Sequence, residues 1–115
     1  MNEQPEKLVV LWTSGDRDVA LNMVMMYTLN SRLHNWWQEI TLLIWGASSK
    51  LLSQDEELQL YIPKLKEVGV EVIACKKCAE NLGIVEKLEQ LGIKVFYTGE
   101  TLTQFLKSDA KILTV

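Results

Sequence analysis

A chain of 115 residues, 48% of them hydrophobic, is sized for one domain that buries a core without disulfide staples. Its twelve Lys and Arg against fifteen Asp and Glu give a net charge of −3 with no basic stripe, which excludes a general nucleic-acid binder, because phosphate neutralisation needs clustered cations. Two cysteines, Cys75 and Cys78, are too few for a disulfide framework and suit thiol chemistry or half a metal site.

The start, residues 1–7, is polar and acidic and lacks the basic and apolar regions of a signal peptide. The longest apolar run, around Leu42–Trp45, is far shorter than the roughly 20 residues that span a bilayer. The expectation is a cytoplasmic protein with reduced cysteines and no membrane contact.

Taken in order, Lys7-Leu8-Val9-Val10-Leu11-Trp12 is an unbroken apolar run closed by Thr13-Ser14-Gly15-Asp16, the pattern of a strand buried on both faces. Residues 17–32 hold no Gly or Pro and predict one helix, with Ser14 or Asp16 as N-cap. A second buried strand covers 39–45 and stops at Gly46-Ala47-Ser48-Ser49. The segment 48–68 is helical in pattern, ends at Gly69, and is expected to kink near Tyr61 and Ile62 because Pro63 interrupts it. A third strand spans 70–75, a short turn or helical element 76–83, and a helix 84–91 that stops at Gly92. A strand over 93–97, a helix over 100–107 and a strand over 110–115 complete the series. Five apolar strands alternating with helices define an α/β domain with a mainly parallel sheet, since parallel neighbours need crossovers of this length.

Ligands of open parallel sheets gather at the carboxyl ends of the strands. Those ends are Thr13-Ser14-Gly15-Asp16, Gly46-Ala47-Ser48, Cys75-Lys76-Lys77-Cys78 and Thr98-Gly99-Glu100, so both cysteines lie on the functional rim. There a thiol meets the positive end of a helix dipole, unpaired backbone N–H groups and the cations of Lys76 and Lys77, all of which favour the nucleophilic thiolate. The competing explanation is that a buried cysteine serves as a small hydrophobe.

Structural zinc takes four ligands, and two cysteines with a distant His34 do not supply them in one chain, so no metal is expected. A thioredoxin-like oxidoreductase places its CxxC after an early strand of a mixed sheet, not after the third strand of a parallel one. Sulfur carriage needs only one accessible thiolate and fits with the fewest added conditions. Nucleotide binding lacks both GxGxxG and a Walker-type lysine, and no cofactor is expected. Ser14, Asp16, Gly46, Ser48, Gly99 and Glu100 are rim candidates for a ligand, although helix capping explains Ser14 and Asp16, and offsetting a helix dipole explains Glu100. His34 is assigned no role.

The helix over 17–32 is apolar almost all round, through Val19, Ala20, Leu21, Met23, Val24, Met25, Met26 and Tyr27, and Trp36 and Trp37 follow it. An outer helix without a polar face predicts a covering subunit.

The stretch Ala74-Cys75-Lys76-Lys77-Cys78-Ala79-Glu80-Asn81-Leu82-Gly83-Ile84 resembles the cysteine motif of the DsrE/DsrF-like sulfur-relay family. Ser14-Gly15-Asp16 after the first strand, Gly92-Ile93, Tyr97-Thr98-Gly99-Glu100 and Leu113-Thr114-Val115 are similar to its small single-domain members. The resemblance implies one DsrE-like domain over 1–115, a three-layer α/β/α sandwich with a five-stranded parallel sheet in the order 4-3-2-1-5. It also implies a homo-oligomer (dimer, trimer or hexamer) and, in the characterised branch, a cysteine passing persulfide sulfur between donor and acceptor proteins. That branch has its active cysteine a fixed distance ahead of a Gly-aliphatic pair; measured back from Gly83-Ile84, the position is Cys75. Cys78 matches the second cysteine of the small members.

The sequence thus supports a persulfide carrier or sulfurtransferase subunit, with Cys75 as the favoured nucleophile and Cys78 as second candidate. Lys76 and Lys77 would stabilise the thiolate or meet an acidic partner. The alternative is a non-catalytic small-ligand or protein-binding module of the same fold whose cysteines are structural.

Overall fold

The computed structural model describes residues 6–115, so most of the polar start lies outside the described residues. The apolar runs become β1 (Lys7–Trp12), β2 (Glu39–Ile44), β3 (Glu71–Cys75), β4 (Lys94–Phe96) and β5 (Lys111–Thr114). They form one parallel sheet in the order β4-β3-β2-β1-β5. This is the order that the family resemblance implies.

Strand side chains alternate between the faces, and both faces are apolar. Leu8, Val10, Trp12, Ile40, Leu42, Ile44, Val72 and Ala74 belong to one buried cluster, while Val9, Leu43 and Ile73 form another. Burial on both sides explains why the runs are continuous rather than alternating. Full burial of each such side chain contributes roughly 1.5–3 kcal/mol.

The crossovers β1→β2→β3→β4 all step the same way, so right-handedness places their helices on one face. These are α1 (Arg17–Val19), a π-helical segment (Ala20–Met25), α2 (Met26–Leu33), α3 (Ala47–Gln54), α4 (Glu56–Gln59), α5 (Tyr61–Glu67), α6 (Lys76–Leu82) and α7 (Val85–Gln90). The last crossover steps back over the sheet and puts α8 (Gly99–Lys107) on the opposite face. There Leu102 and Phe105 pack towards Val9, Leu43 and Ile73. The sandwich has three layers and is lopsided, since among the described residues a single short helix with no buried residue covers its second face.

Two helical expectations change. The stretch 17–32 is not one uniform α-helix: the π turn, with hydrogen bonds to the fifth residue rather than the fourth, brings Met25 into the core along with Ala20 and Val24. The stretch 48–68 breaks at Leu60, close to the expected kink, but also at Asp55, whose Oδ1 accepts the Leu58 N–H at 3.0 Å and starts α4. Pro63 sits in the first turn of α5, where its missing N–H deprives no intrahelical bond, so the break falls before it.

Candidate functional site

The carboxyl end of β3 runs directly into α6. Cys75 is the N-cap, in extended conformation, and Cys78 is the third residue of the helix. Residues at these two positions face each other, as in a capping box. The Cys78 backbone N–H donates to Cys75 Sγ at 3.4 Å, and the Cys78 thiol donates to the same sulfur at 3.0 Å. Both cysteines are free; Cys75 is buried and Cys78 is half-buried. Cys75 Sγ thus takes one contact from the backbone and one from the side chain of Cys78. Desolvation is the main cause that pushes the Cys78 thiol above its ordinary value, and the bond to Cys75 adds to it; the Gly46 backbone acts in the opposite direction.

The β2 end borders Cys78. Gly46 has φ 76° and ψ −131°, a conformation essentially reserved for glycine, and serves as the N-cap of α3. With Ala47, Lys50, Asn81 and Leu82 it lines an open cleft of about 340 Å³ that Cys78 also lines. The loop after β1 adjoins this edge: a Cβ on Gly15 would stand 3.2 Å from Ala47 Cβ, so a larger residue there would push the two loops apart by a few tenths of an ångström.

The other rim candidates are placed differently. Ser48 is fully buried and points inward, donating to Trp12 O at 2.5 Å and accepting from Trp45 N at 3.2 Å, so it ties the ends of β1 and β2 together. Asp16 caps α1 by accepting from Val19 N at 3.0 Å, and Ser14 Oγ accepts from Asp16 N at 3.1 Å. Gly99 and Glu100 open α8 across the sheet, and among the described residues no hydrogen bond or ion pair joins them to a cysteine. Lys76 sets its ammonium 5.3 Å from the Tyr97 ring centroid, and Lys77 is exposed. Tyr97 in turn donates to Glu80 Oε2 at 2.9 Å, and that bond pushes the phenol pKa up.

Sequence reasoning selected the lysines nearest in the chain and missed Lys50, the cation that shares the cleft with Cys78. Asn81 and Leu82 were also missed, although they follow Cys78 by three and four positions and so share its helix face. A larger cleft of about 730 Å³, lined by Glu56, Glu57, Gln59, Leu60, Pro63, Gln90 and Leu91, holds no thiol. Among the described residues no three His, Cys, Asp or Glu side chains gather as metal ligands, and no helix is long and apolar enough to cross a membrane.

The chain is similar to three solved structures. A conserved protein of unknown function from Bacteroides thetaiotaomicron, BT1422, is 41% identical, with a TM-score of 0.92 over 96% of this chain and 95% of that one. MTH1491 from Methanobacterium thermoautotrophicum, also of unknown function, is 16% identical, with a TM-score of 0.77 over 95% and 98%. The ychN protein of E. coli is 15% identical, with a TM-score of 0.70 over 97% and 100%; at these two identities the likeness shows the fold alone. A comparison with curated proteins returned no match. The family profile that fits runs over residues 7–115, from the first residue of β1 past the end of β5, and on that match the chain belongs to the DsrE/DsrF-like family.

Proposed function

We propose that this protein handles sulfane sulfur, as a persulfide carrier or a sulfurtransferase subunit, with Cys75 as the accepting thiol. Membership of a sulfur-relay family supports the reading. One observation carries it: at a strand end on the functional rim, the Cys78 N–H and S–H both point at Cys75 Sγ. In the reaction the Cys75 thiolate attacks the outer sulfur of a donor persulfide. A new S–S bond forms, the donor's S–S bond breaks, and its electron pair leaves on the donor thiolate. The open cleft beside Cys78 offers a way in, and Lys50, Lys76 and Lys77 give a partner's acidic surface something to meet. Sulfur carriage of this kind needs reduced thiols, which fits a reducing compartment such as the cytoplasm.

We also propose that it self-associates. Its own core absorbs much of the apolar first helical stretch, but Met26, Leu33 and Trp36 stay exposed at 47%, 54% and 58%.

A second reading, a binding module with structural cysteines, draws on the burial of Cys75 and its capping role. Intact-mass measurement after incubation with inorganic polysulfide separates the two. A carrier gains one sulfur, loses it on reduction, and does neither as Cys75→Ser. A binding module gains none, and both its thiols alkylate slowly at neutral pH.

A further inference from the structure

The chain caps two other helices with oxygen: Asp16 and Asp55 each accept a backbone N–H at 3.0 Å. Oxygen is what an N-cap prefers. The α6 cap uses sulfur instead, at a longer 3.4 Å, and puts a second sulfur at the third helical position. Capping alone calls for neither choice. What the two sulfurs gain is each other: at 3.0 Å they stand about 1 Å beyond the disulfide bond length of about 2.05 Å, so a small rotation of the side chains bonds them.

We propose that Cys78 is a resolving thiol that discharges the sulfur carried on Cys75 as sulfide and leaves a Cys75–Cys78 disulfide. This rests on the persulfide reading above. Once Cys75 holds a persulfide, Cys78 loses its proton and its sulfur attacks Cys75 Sγ. The bond from Cys75 Sγ to the outer sulfur breaks, and its electron pair leaves on that sulfur, which takes up the proton and departs as hydrogen sulfide. The outer sulfur is reduced by two electrons and the two cysteine sulfurs are oxidised by two, so no external oxidant enters. The inner sulfur is the target because it is the atom that Cys78 already touches; attack on the outer sulfur would only move the persulfide to Cys78. A dithiol reductant from outside the protein then restores both thiols.

The proton on Cys78 sets the pace. Burial, the main cause that raises the Cys78 pKa, disfavours its thiolate, so a loaded protein keeps its sulfur long enough to meet an acceptor and discharges as the pH rises. Cys78 thus acts as a timer on the carried sulfur as well as its release group.

The test loads wild type, Cys78→Ser and Cys78→Ala with inorganic polysulfide, removes the excess by desalting, and follows intact mass and trapped sulfide without reductant. Wild type is expected to lose the added sulfur, release an equivalent of sulfide, and end two hydrogens lighter than the reduced protein, faster at higher pH. Both variants are expected to keep the sulfur at least about tenfold longer, because the intramolecular attack is gone, and to release it on adding dithiothreitol. If loaded wild type keeps its sulfur as long as the variants, or loses it without forming the internal disulfide, the resolving role is overturned while the carrier reading stands. If no protein gains a sulfur, the carrier reading falls and the resolving role with it.

Discussion

Cys75 Sγ, 3.0 Å away, is part of the surroundings in which the Cys78 thiol titrates. Desolvation and the hydrogen bond to Cys75 raise the Cys78 pKa, and replacing the partner sulfur leaves desolvation as the raising cause, still opposed by the Gly46 backbone. In Cys75→Ser the alkylation midpoint of Cys78 is therefore expected at lower pH than in wild type, with mass spectrometry reading the pH profile; an unchanged midpoint would mean that the contact has no energetic weight. The cysteines and their rim position were readable from the chain, because a strand end followed by a helix is a local pattern. Lys50 was not: it meets Cys78 only because β2 lies beside β3, which brings the α3 and α6 N-termini together. Ser48 shows the same blindness in reverse. Its position suggested a ligand contact, but its hydroxyl is engaged by backbone on β1.

Asp55 holds two elements in place, capping α4 and pairing with Arg17 at the start of α1 at 2.6 Å; Glu57 joins the same guanidinium. The Leu58 N–H, and after it Arg17, keep the Asp55 carboxyl below its ordinary range. A depressed carboxyl contributes stability in full above its unfolded value of about 3.9, and that contribution is lost as pH falls through the folded value. Asp55→Asn, which keeps a capping oxygen without the charge, is expected to melt with a flatter acid limb than wild type, and Asp55→Ala to lose about 1 kcal/mol at neutral pH as well. Thermal melts between about pH 6 and about pH 3 check both. Gly46→Ala forces a side chain into a glycine-only conformation and is expected to cost about 1–3 kcal/mol in denaturant unfolding, even though the new methyl meets no neighbour. All five strands were evident as apolar runs with turn residues behind them. The break at Asp55 was masked by the apolar spacing that continues through it, and the π turn by a run of residues that are good helix formers in either winding.

The lopsided sandwich leaves apolar surface on both sides: Met26, Leu33 and Trp36 on the many-helix side, and Leu106 on the lone α8 on the other. Exposed apolar and aromatic side chains are the usual makings of an interface, and Met26 and Trp36 line one small cleft with Tyr27. Sedimentation equilibrium at micromolar concentration is expected to give a mass above one chain, and Leu33→Glu with Trp36→Glu to lower it; a one-chain mass for wild type would overturn self-association. The apolar pattern of the first helical stretch had already pointed to this surface, but it could not divide the residues facing the core from those facing out, because the π turn reassigns them.

The order of the strands also has a consequence in time. β1, made early, is completed on one side by β5, made after every other strand, and the loop that adjoins Gly46 is pinned by bonds from Thr13 N–H, Thr13 Oγ1 and Ser14 N–H to the Val115 carbonyl at 2.7, 3.0 and 3.1 Å. Contacts this distant in sequence are slow to close. While the chain is emerging from a ribosome, β1 through β4 can pair and α6 can bring its two sulfurs together, yet one side of β1 stays open as an unpaired edge until β5 arrives. The thiols can thus come together before the loop at their margin is fastened, and a protein halted or clipped before β5 would carry the pair on an unfinished sheet.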